Sequence, residues 1–478
     1  MNQLVQFQKA RMARDPRFDG RFFVGVKTTG IFCRPVCRAR LPLEKNVRYL
    51  RSANHAIEEG FRPCLLCRPD SAPGSFAWKG VETTVERAIN ILSSQLDLSI
   101  EHVAEKLGVS TRYLNRLFDD HVHISPKRFQ LSQRLLFAKQ LLHETTLNIE
   151  TVALCAGFNS AKRLQVNMRD QFDLIPSELR RREKDNKMSK TQTVSVFLRY
   201  RPPYSWDVLR DFFSRRLITS NERITEDYFA KCILVDGVPV IFKARHEADK
   251  DGFEVSFFTE NVKVLKQAIL CVRKILDLDA DPLVIGEALQ ASGLHKEQFD
   301  PGLRIPGIVD QFEAACRAVC GQQVSVKAAV RQVNLLQDTL LMANVSQPDH
   351  THHLSEALYQ NEPCLALQPF VDAALVSKSD LSFLKMPQAR KNSLHSLANL
   401  LDESKDADYE QWLALKGIGP WTINYVRLRH SSLPDIFLDT DLIIKQQIER
   451  FAQQKQVIKA NLAAPYRTYL TLNLWNLS

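Results

Sequence analysis

The chain has 478 residues, 45% of them hydrophobic and 25% charged, with a formal net charge of +10. That composition is ordinary for a soluble globular protein, and at roughly 100–200 residues per domain it predicts three or four domains. No stretch is long and apolar enough to predict a membrane span, and residues 1–20 lack the apolar run of a secretory signal, so a cytoplasmic, reducing setting is expected. Ten cysteines in such a setting are expected to serve as ligands, nucleophiles or core residues rather than disulfides.

The charge is uneven. Residues 1–80 hold 15 Lys and Arg against 6 Asp and Glu, a balance of +9; residues 81–190 hold 17 against 14, a balance of +3; the remainder is slightly acidic. A basic amino-terminal half points to a polyanionic partner, nucleic acid or anionic membrane. Residues 1–80 carry only short apolar runs, such as 22–26, and are too few to fold firmly without a staple. Cys33 and Cys37 are separated by three residues, Cys64 and Cys67 by two, and 26 residues lie between the pairs. Close pairs with a long return are what a four-thiolate site for one Zn2+ uses. Spacing alone favours a zinc that only holds the fold. The other six cysteines, Cys155, Cys232, Cys271, Cys316, Cys320 and Cys364, lie mostly among apolar neighbours and read as core.

Residues 29–40 (TGIFCRPVCRAR) and 60–70 (GFRPCLLCRPD) resemble the amino-terminal domain of the Ada family of bacterial adaptive-response proteins. The resemblance covers about the first 70 residues. It implies that Cys33 accepts a methyl group from a methylphosphotriester in DNA, with Cys37, Cys64 and Cys67 as the remaining zinc ligands. The chemistry is coherent, because a metal keeps thiolates deprotonated at neutral pH and four of them on one dication leave a nucleophilic, net negative centre. Arg34, Arg38 and Arg40 would lodge the phosphate backbone. Transfer makes Cys33 a neutral thioether, once per molecule, and lowers the repulsion from DNA: a switch built from one charge.

Residues 81–182 are periodic in the helical sense. Leu98, Ile100, Val103, Ala104 and Gly108 recur 49 residues later as Leu147, Ile149, Val152, Ala153 and Gly157, giving two copies of helix, glycine turn, helix. Residues 100–118 (IEHVAEKLGVSTRYLNRLF), 125–129 (SPKRF) and 154–158 (LCAGF) resemble the AraC family of transcription activators. The resemblance implies that the second helix of each unit, about 110–118 and 160–168, enters a major groove. It implies promoter DNA and RNA polymerase as partners, and makes Arg112, Asn115 and Arg116 candidates for base contacts or for phosphate contacts alone. The second unit departs from the family, with Leu164 and Met168 at usually aromatic positions and Val166 at a usually polar or basic one. Sequence reading therefore rests on the first unit.

Residues 180–192 are polar and charged and predict a linker, bounded at 183–192. Beyond it, residues 193–200 and 232–244 read as strands and 206–217 and 262–276 as helices. From about 283 the pattern is helical, with breaks near Gly321, Pro387 and Gly417. Residues 415–421 (LKGIGPW) read as a hairpin between helices that turns the N–H groups of Gly417 and Gly419 toward a DNA phosphate, although an ordinary glycine turn would look the same.

Asp441 follows in FLDTDLIIKQ (437–446), and the arrangement resembles the helix-hairpin-helix glycosylase superfamily, in detail its AlkA family. The match runs from YRPPYSW (200–206) through PGIVDQFEAACRAVCGQQVSV (306–326) to PYRTYLTLNLW (465–475). It implies Asp441 as catalytic carboxylate, with Asp439 as competitor. Trp421, Tyr425 and Trp475 would wall the base pocket, Phe212 would reach it, and Gln323 would stand where the family has an apolar wedge. The implied reaction is hydrolytic excision of alkylated bases such as 3-methyladenine from double-stranded DNA. A ring-alkylated base is cationic, stacks on electron-rich rings and leaves readily once flipped out, while a carboxylate stabilises the oxocarbenium-like sugar. Ile423 stands where a lyase needs Lys, and no cysteine follows Cys364, so neither a Schiff base nor an iron–sulfur cluster is expected. No PCHR motif for O6-methylguanine repair occurs.

The fold expectation is therefore a multidomain, mainly α protein. A small zinc-bound α/β domain (1–80) precedes a paired helix-turn-helix domain (81–182). An α+β domain (193–282) and a helix-hairpin-helix glycosylase domain (283–478) follow. Nothing indicates an oligomer, so a monomer is expected. Two rivals are a regulator whose glycosylase half is an inactive scaffold and a repair protein whose paired helix-turn-helix only grips DNA.

Overall fold

The computed structural model describes residues 3–14, 22–50, 56, 59–64, 67, 76–145, 147–179, 193–345, 363–404 and 408–477. The expected linker at 183–192 lies outside them. The chain forms two compact units, Met1–Arg134 and Leu135–Ser478.

In the first unit, helix α1 (Gln3–Ala13) precedes a four-stranded sheet of β1 (Phe23–Val26), β2 (Ile31–Cys33), β3 (Val47–Leu50) and β4 (Arg62–Pro63), in the order β3-β1-β2-β4. Phe23, Phe32, Leu50 and Ala56 pack on one side, while Ala10, Phe22 and Val24 pack as a separate cluster with Phe7. A Cβ at Gly25 would meet the Phe61 ring at 2.9 Å, so any larger residue would displace that ring. Helices α2 (Phe76–Ser94), α3 (Ile100–Lys106) and α4 (Thr111–His121) form the first helix-turn-helix. The starts of α3 and α4 are capped: Ser99 accepts from the His102 N–H and Ser110 from the Tyr113 N–H, both at 3.2 Å. Helix α5 (Pro126–Glu144) runs across the division between the units.

The second unit begins with the repeated motif: α6 (Ile149–Cys155), α7 (Ala161–Phe172) and the short α8 (Pro176–Leu179). Gly108 and Gly157 occupy matching turns at φ 67° and 77°. Leu164 and Met168 are fully buried and Val166 is exposed, so two of the departures serve the core and the third faces solvent. Helix α6 packs against residues 262–264, and the Lys266 ammonium sits 4.7 Å from the centre of the Phe137 ring.

The α+β part contains β5 (Thr193–Arg199), α9 (Trp206–Ser214), β6 (Glu222–Ile224), β7 (Phe229–Val235), β8 (Val238–Glu247), β9 (Gly252–Phe258) and α10 (Leu265–Ile275). The sheet is antiparallel throughout, in the order β5-β9-β8-β7-β6. Two readings are corrected here. The strand region expected at 232–244 is a hairpin of β7 and β8, folded at Asp236–Gly237 with φ 49° and 77°, the left-handed pair an Asp-Gly turn permits. The helix expected over 206–217 stops at Ser214: the Arg216 N–H turns back to the Phe213 carbonyl, three residues away, at 2.9 Å, and the Arg317 and Asn334 side chains satisfy the Arg216 and Leu217 carbonyls at 2.6 and 2.9 Å.

The remaining helices are α11 (Pro282–Ala291), α12 (Gln311–Gly321), α13 (Val326–Val345), α14 (Ala373–Ser377), α15 (Gln388–Glu403), α16 (Tyr409–Leu413), α17 (Pro420–Arg429), α18 (Leu442–Gln453) and α19 (Arg467–Asn476). Helix α12 lies at their centre, packed by α13, α15 and α17. A fully buried ion group joins it to the sheet: Lys231 meets Glu222 at 2.6 Å and Glu313 at 2.7 Å, and Arg317 meets Glu222 at 2.9 Å. Burial opposes the charge on Glu222, but Arg317 and Lys231 outweigh it and hold its carboxyl down at about 2.

Candidate functional site

The sheet of the first unit assembles the cysteines. Cys33 ends β2, and the parallel pairing of β2 with β4 brings the next segment alongside, where the Cys64 N–H donates to the Phe32 carbonyl at 3.0 Å. The Cys37 N–H returns to the Arg34 carbonyl at 3.1 Å, closing the first knuckle. The sulfurs of Cys33, Cys37, Cys64 and Cys67 all lie within 4.8 Å of one another. Tetrahedral zinc with Zn–S bonds of about 2.3 Å needs sulfurs about 3.8 Å apart, so the set fits one zinc ion. A hydrogen bond with Cys67, and then burial, push the Cys33 thiol far above its ordinary range, while the same contact holds Cys67 down at about 5. A central cation relieves that conflict by letting all four be thiolates.

The four sulfurs are not equivalent. Cys37 is buried, and the Cys67 sulfur accepts a hydrogen bond from the Arg34 N–H at 3.4 Å. Cys33, Cys64 and Cys67 are each partly buried. The Arg34 guanidinium turns inward and donates to the Cys67 carbonyl at 3.5 Å, whereas Arg38 and Arg40 are exposed. On α4, Arg112 and Arg116 are exposed, the latter 4.9 Å from the Tyr113 ring centre, and Asn115 donates to the Thr111 carbonyl of its own helix at 2.8 Å. Sequence reasoning missed Lys162, Arg163 and Arg169, which make the outer face of α7 basic; the helical spacing of exposed positions carried that signal.

The second unit holds a cleft of about 1800 Å³, beyond the ~300–1,000 Å³ of an ordinary small-molecule pocket. Arg215, Arg216, Arg304, Arg317, Arg390 and Lys416 line it, and Asp441 is the one acidic side chain among the described lining residues. Phe212, Trp421, Tyr425 and Trp475 line the same cleft. Asp441 caps α18 and receives four N–H groups. Its Oδ1 accepts from Ile443 at 3.0 Å, Ile444 at 3.3 Å and the Trp475 indole at 3.2 Å, and its Oδ2 accepts from the Trp421 indole at 3.0 Å. The carboxylate is thus fixed between two indole edges. Asp439 is exposed and outside the lining, so the geometry separates the two competitors.

Tyr425 stacks on Trp421 with ring centres 5.4 Å apart and accepts from Arg429 at 2.9 Å. Burial acts to raise its phenol, but Arg429, Arg216 and Arg317 outweigh that and hold it below its ordinary value. Arg216 stacks on Phe212, its guanidinium carbon 3.7 Å from the ring centre, and burial pushes it down to about 10. The aromatic corner therefore has a cationic floor that sequence alone did not suggest.

The hairpin lies at the rim. Gly417 has φ 88°, and a Cβ there would stand 2.2 Å from the Ser393 Oγ, so no other residue fits. Ser393 donates to the Lys416 carbonyl at 2.8 Å and Gln322 to the Gly417 carbonyl at 2.9 Å. Among the described residues, neither the Gly417 nor the Gly419 N–H has a hydrogen-bond partner. The Lys416 and Gly417 carbonyls are taken and the two glycine N–H groups are unpaired just ahead of α17, an arrangement suited to an anion. Gln323 is exposed at the cleft mouth with φ 53°, beside Val324, which is 41% exposed.

Fold and site together define a protein with a four-cysteine metal domain, a paired helix-turn-helix, and a helix-hairpin-helix unit with one carboxylate in an aromatic corner. Family profiles agree: the metal binding domain of Ada matches residues 6–70, a helix-turn-helix domain 103–182, and the AlkA N-terminal domain 195–310. A Mycobacterium tuberculosis protein named "Probable bifunctional transcriptional activator/DNA repair enzyme AlkA" is 32% identical, over 98% of this chain and 95% of the relative. The chain belongs to that family of bifunctional activator and repair enzymes. Escherichia coli DNA-3-methyladenine glycosylase 2 is 28% identical over 58% of this chain and 95% of its own length. The Escherichia coli bifunctional transcriptional activator/DNA repair enzyme Ada is 36% identical over 31% of this chain and 40% of its own length.

Proposed function

We propose that the chain repairs alkylated DNA at two separate centres and uses the first as a damage signal for transcription. At the zinc centre, the Cys33 sulfur attacks the methyl carbon of a methylphosphotriester. The carbon–oxygen bond breaks, the phosphodiester leaves as an anion, and Cys33 becomes a thioether. Bound zinc supplies the chemistry that keeps the four thiolates deprotonated. Burial of Cys37 and the hydrogen bond on Cys67 favour Cys33 or Cys64 as acceptor, and the family motif selects Cys33. Arg38 and Arg40 hold the backbone. Loss of one negative charge then strengthens the hold of the paired helix-turn-helix on promoter DNA, through Arg112, Arg116 and the basic face of α7, with RNA polymerase as the downstream partner.

At the cleft, the rim cations and hairpin N–H groups grip phosphate, and a ring-alkylated base such as 3-methyladenine turns into the aromatic corner. Asp441 stabilises the oxocarbenium-like sugar as the C1′–N bond breaks and orients the water that adds to C1′; the base leaves neutral and a proton goes to solvent. The chain would act as a monomer. The observation that carries this reading is the single carboxylate held by both indoles, Trp421 and Trp475, in an otherwise cationic cleft. It also disfavours a scaffold role, which has no need of a carboxylate fixed this way. The test is release of free 3-methyladenine from methylated duplex: release by the parent protein but not by Asp441→Asn supports the enzyme, and release by neither leaves the regulator with an inactive scaffold.

A further inference from the structure

The loop joining α12 to α13 carries two adjacent glutamines that do different things. Gln323 is exposed at the cleft mouth, in left-handed backbone. Gln322, partly buried in the cleft wall, spends its amide NH2 on two acceptors of another segment: the Gly417 carbonyl at 2.9 Å and the Thr422 Oγ at 3.1 Å. One acceptor lies in the hairpin and the other in the first turn of α17, next to Trp421. Gln322 is also the last residue of the turn that closes α12, whose N–H returns to the Val319 carbonyl. Helix α12 is almost wholly buried and cannot shift with the loop. A single amide therefore bridges the fixed end of α12, the phosphate-facing hairpin and the helix that carries Trp421.

We infer that Gln322 is a positioning residue that couples the hairpin's grip on phosphate to the loop that enters the duplex beside the flipped nucleotide. The inference rests on the glycosylase reading of the cleft. Bonding the Gly417 carbonyl on one side and the Thr422 hydroxyl on the other fixes the hairpin between them, including the unpaired Gly417 and Gly419 N–H groups. The same bond fixes the height of Gln323 and the exposed Val324 relative to that grip. Gripping the backbone and filling the helix then occur at one set distance, which flipping requires. Misplacement of reacting groups by about 1 Å can cost about 10²-fold in rate.

The test uses the full chain, a duplex with one alkylated base, and 2-aminopurine beside the lesion. Gln322→Met keeps the length and removes both donors. Single-turnover excision is expected to fall about 30-fold and the 2-aminopurine signal of base extrusion to be lost, a larger loss than any in affinity for undamaged duplex, with the melting temperature unchanged. Thr422→Val should cost a few-fold, and the double variant should be no worse than Gln322→Met, as expected for groups sharing one interaction. Parent-like excision and extrusion by Gln322→Met overturn the inference. So does an equal loss of undamaged-duplex binding with a lowered melting temperature, which marks a fold defect instead. If the parent protein releases no base, the glycosylase reading itself fails, which is a separate result.

Discussion

The two chemical centres are built in opposite ways. The four cysteines lie within 35 residues, and one sheet register with the tight turn from Arg34 to Cys37 helps bring them together. The cleft gathers Phe212 from α9, Trp421 and Tyr425 from α17, Asp441 from the start of α18 and Trp475 from α19. The first centre is local and depends on a metal; the second is non-local and depends on a packed core. A local centre should fail with its ion and leave the rest standing, whereas a non-local one should answer to single side chains spread along the chain.

The largest contrast comes from Cys33→Ser. The gain of one CH2 (about 14 Da) from methylphosphotriester DNA, read by mass spectrometry, should vanish, and chelating zinc should do the same; base excision should stay within about threefold in both cases. A parallel collapse of excision would show that the centres are not independent. Next, Asp441→Asn should lower single-turnover excision by about 10³-fold or more, since its amide N–H groups would face the indole donors that a carboxylate accepts. Methyl acceptance at Cys33 should be unchanged. The same loss in Asp439→Asn but not in Asp441→Asn would reverse the assignment.

A smaller effect is expected from Trp475→Phe, which keeps a ring but removes one N–H from Asp441. Excision should fall about tenfold, with little change in binding of undamaged duplex, as gel shift can check. The smallest effect concerns stability. Asp277 is buried and accepts the Tyr469 hydroxyl and the Ile305 N–H on the same oxygen, at 2.8 and 2.9 Å. Burial raises its carboxyl to about 6. A folded value above the unfolded one means that its contribution is full below about pH 4 and lost as pH rises through about 6. Asp277→Asn keeps both bonds, so at pH 8 it should be more stable than the parent by up to about 3 kcal/mol in denaturant melts, with no advantage at pH 4.

The amino-acid sequence by itself determined what is local or periodic. Two cysteine pairs announced a thiolate site, because metal ligands need tight knuckles whose spacing survives in one dimension. Leu98, Ile100, Val103, Ala104 and Gly108, recurring 49 residues later, marked the helix-turn-helix repeat, because apolar spacing and left-handed turns are set within a few residues. The glycine hairpin was legible for the same reason. Only tertiary structure decided the rest. Asp441 differs locally from Asp439 only in capping α18; the indoles of Trp421 and Trp475, 20 and 34 residues from Asp441, hold it alone of the two in the aromatic corner. The inward turn of Arg34, the cationic floor under Tyr425 and the separate employment of Gln322 and Gln323 likewise depend on partners from distant segments. A side chain's environment is set by whatever the core brings beside it, and that neighbour leaves no trace in the residues next door.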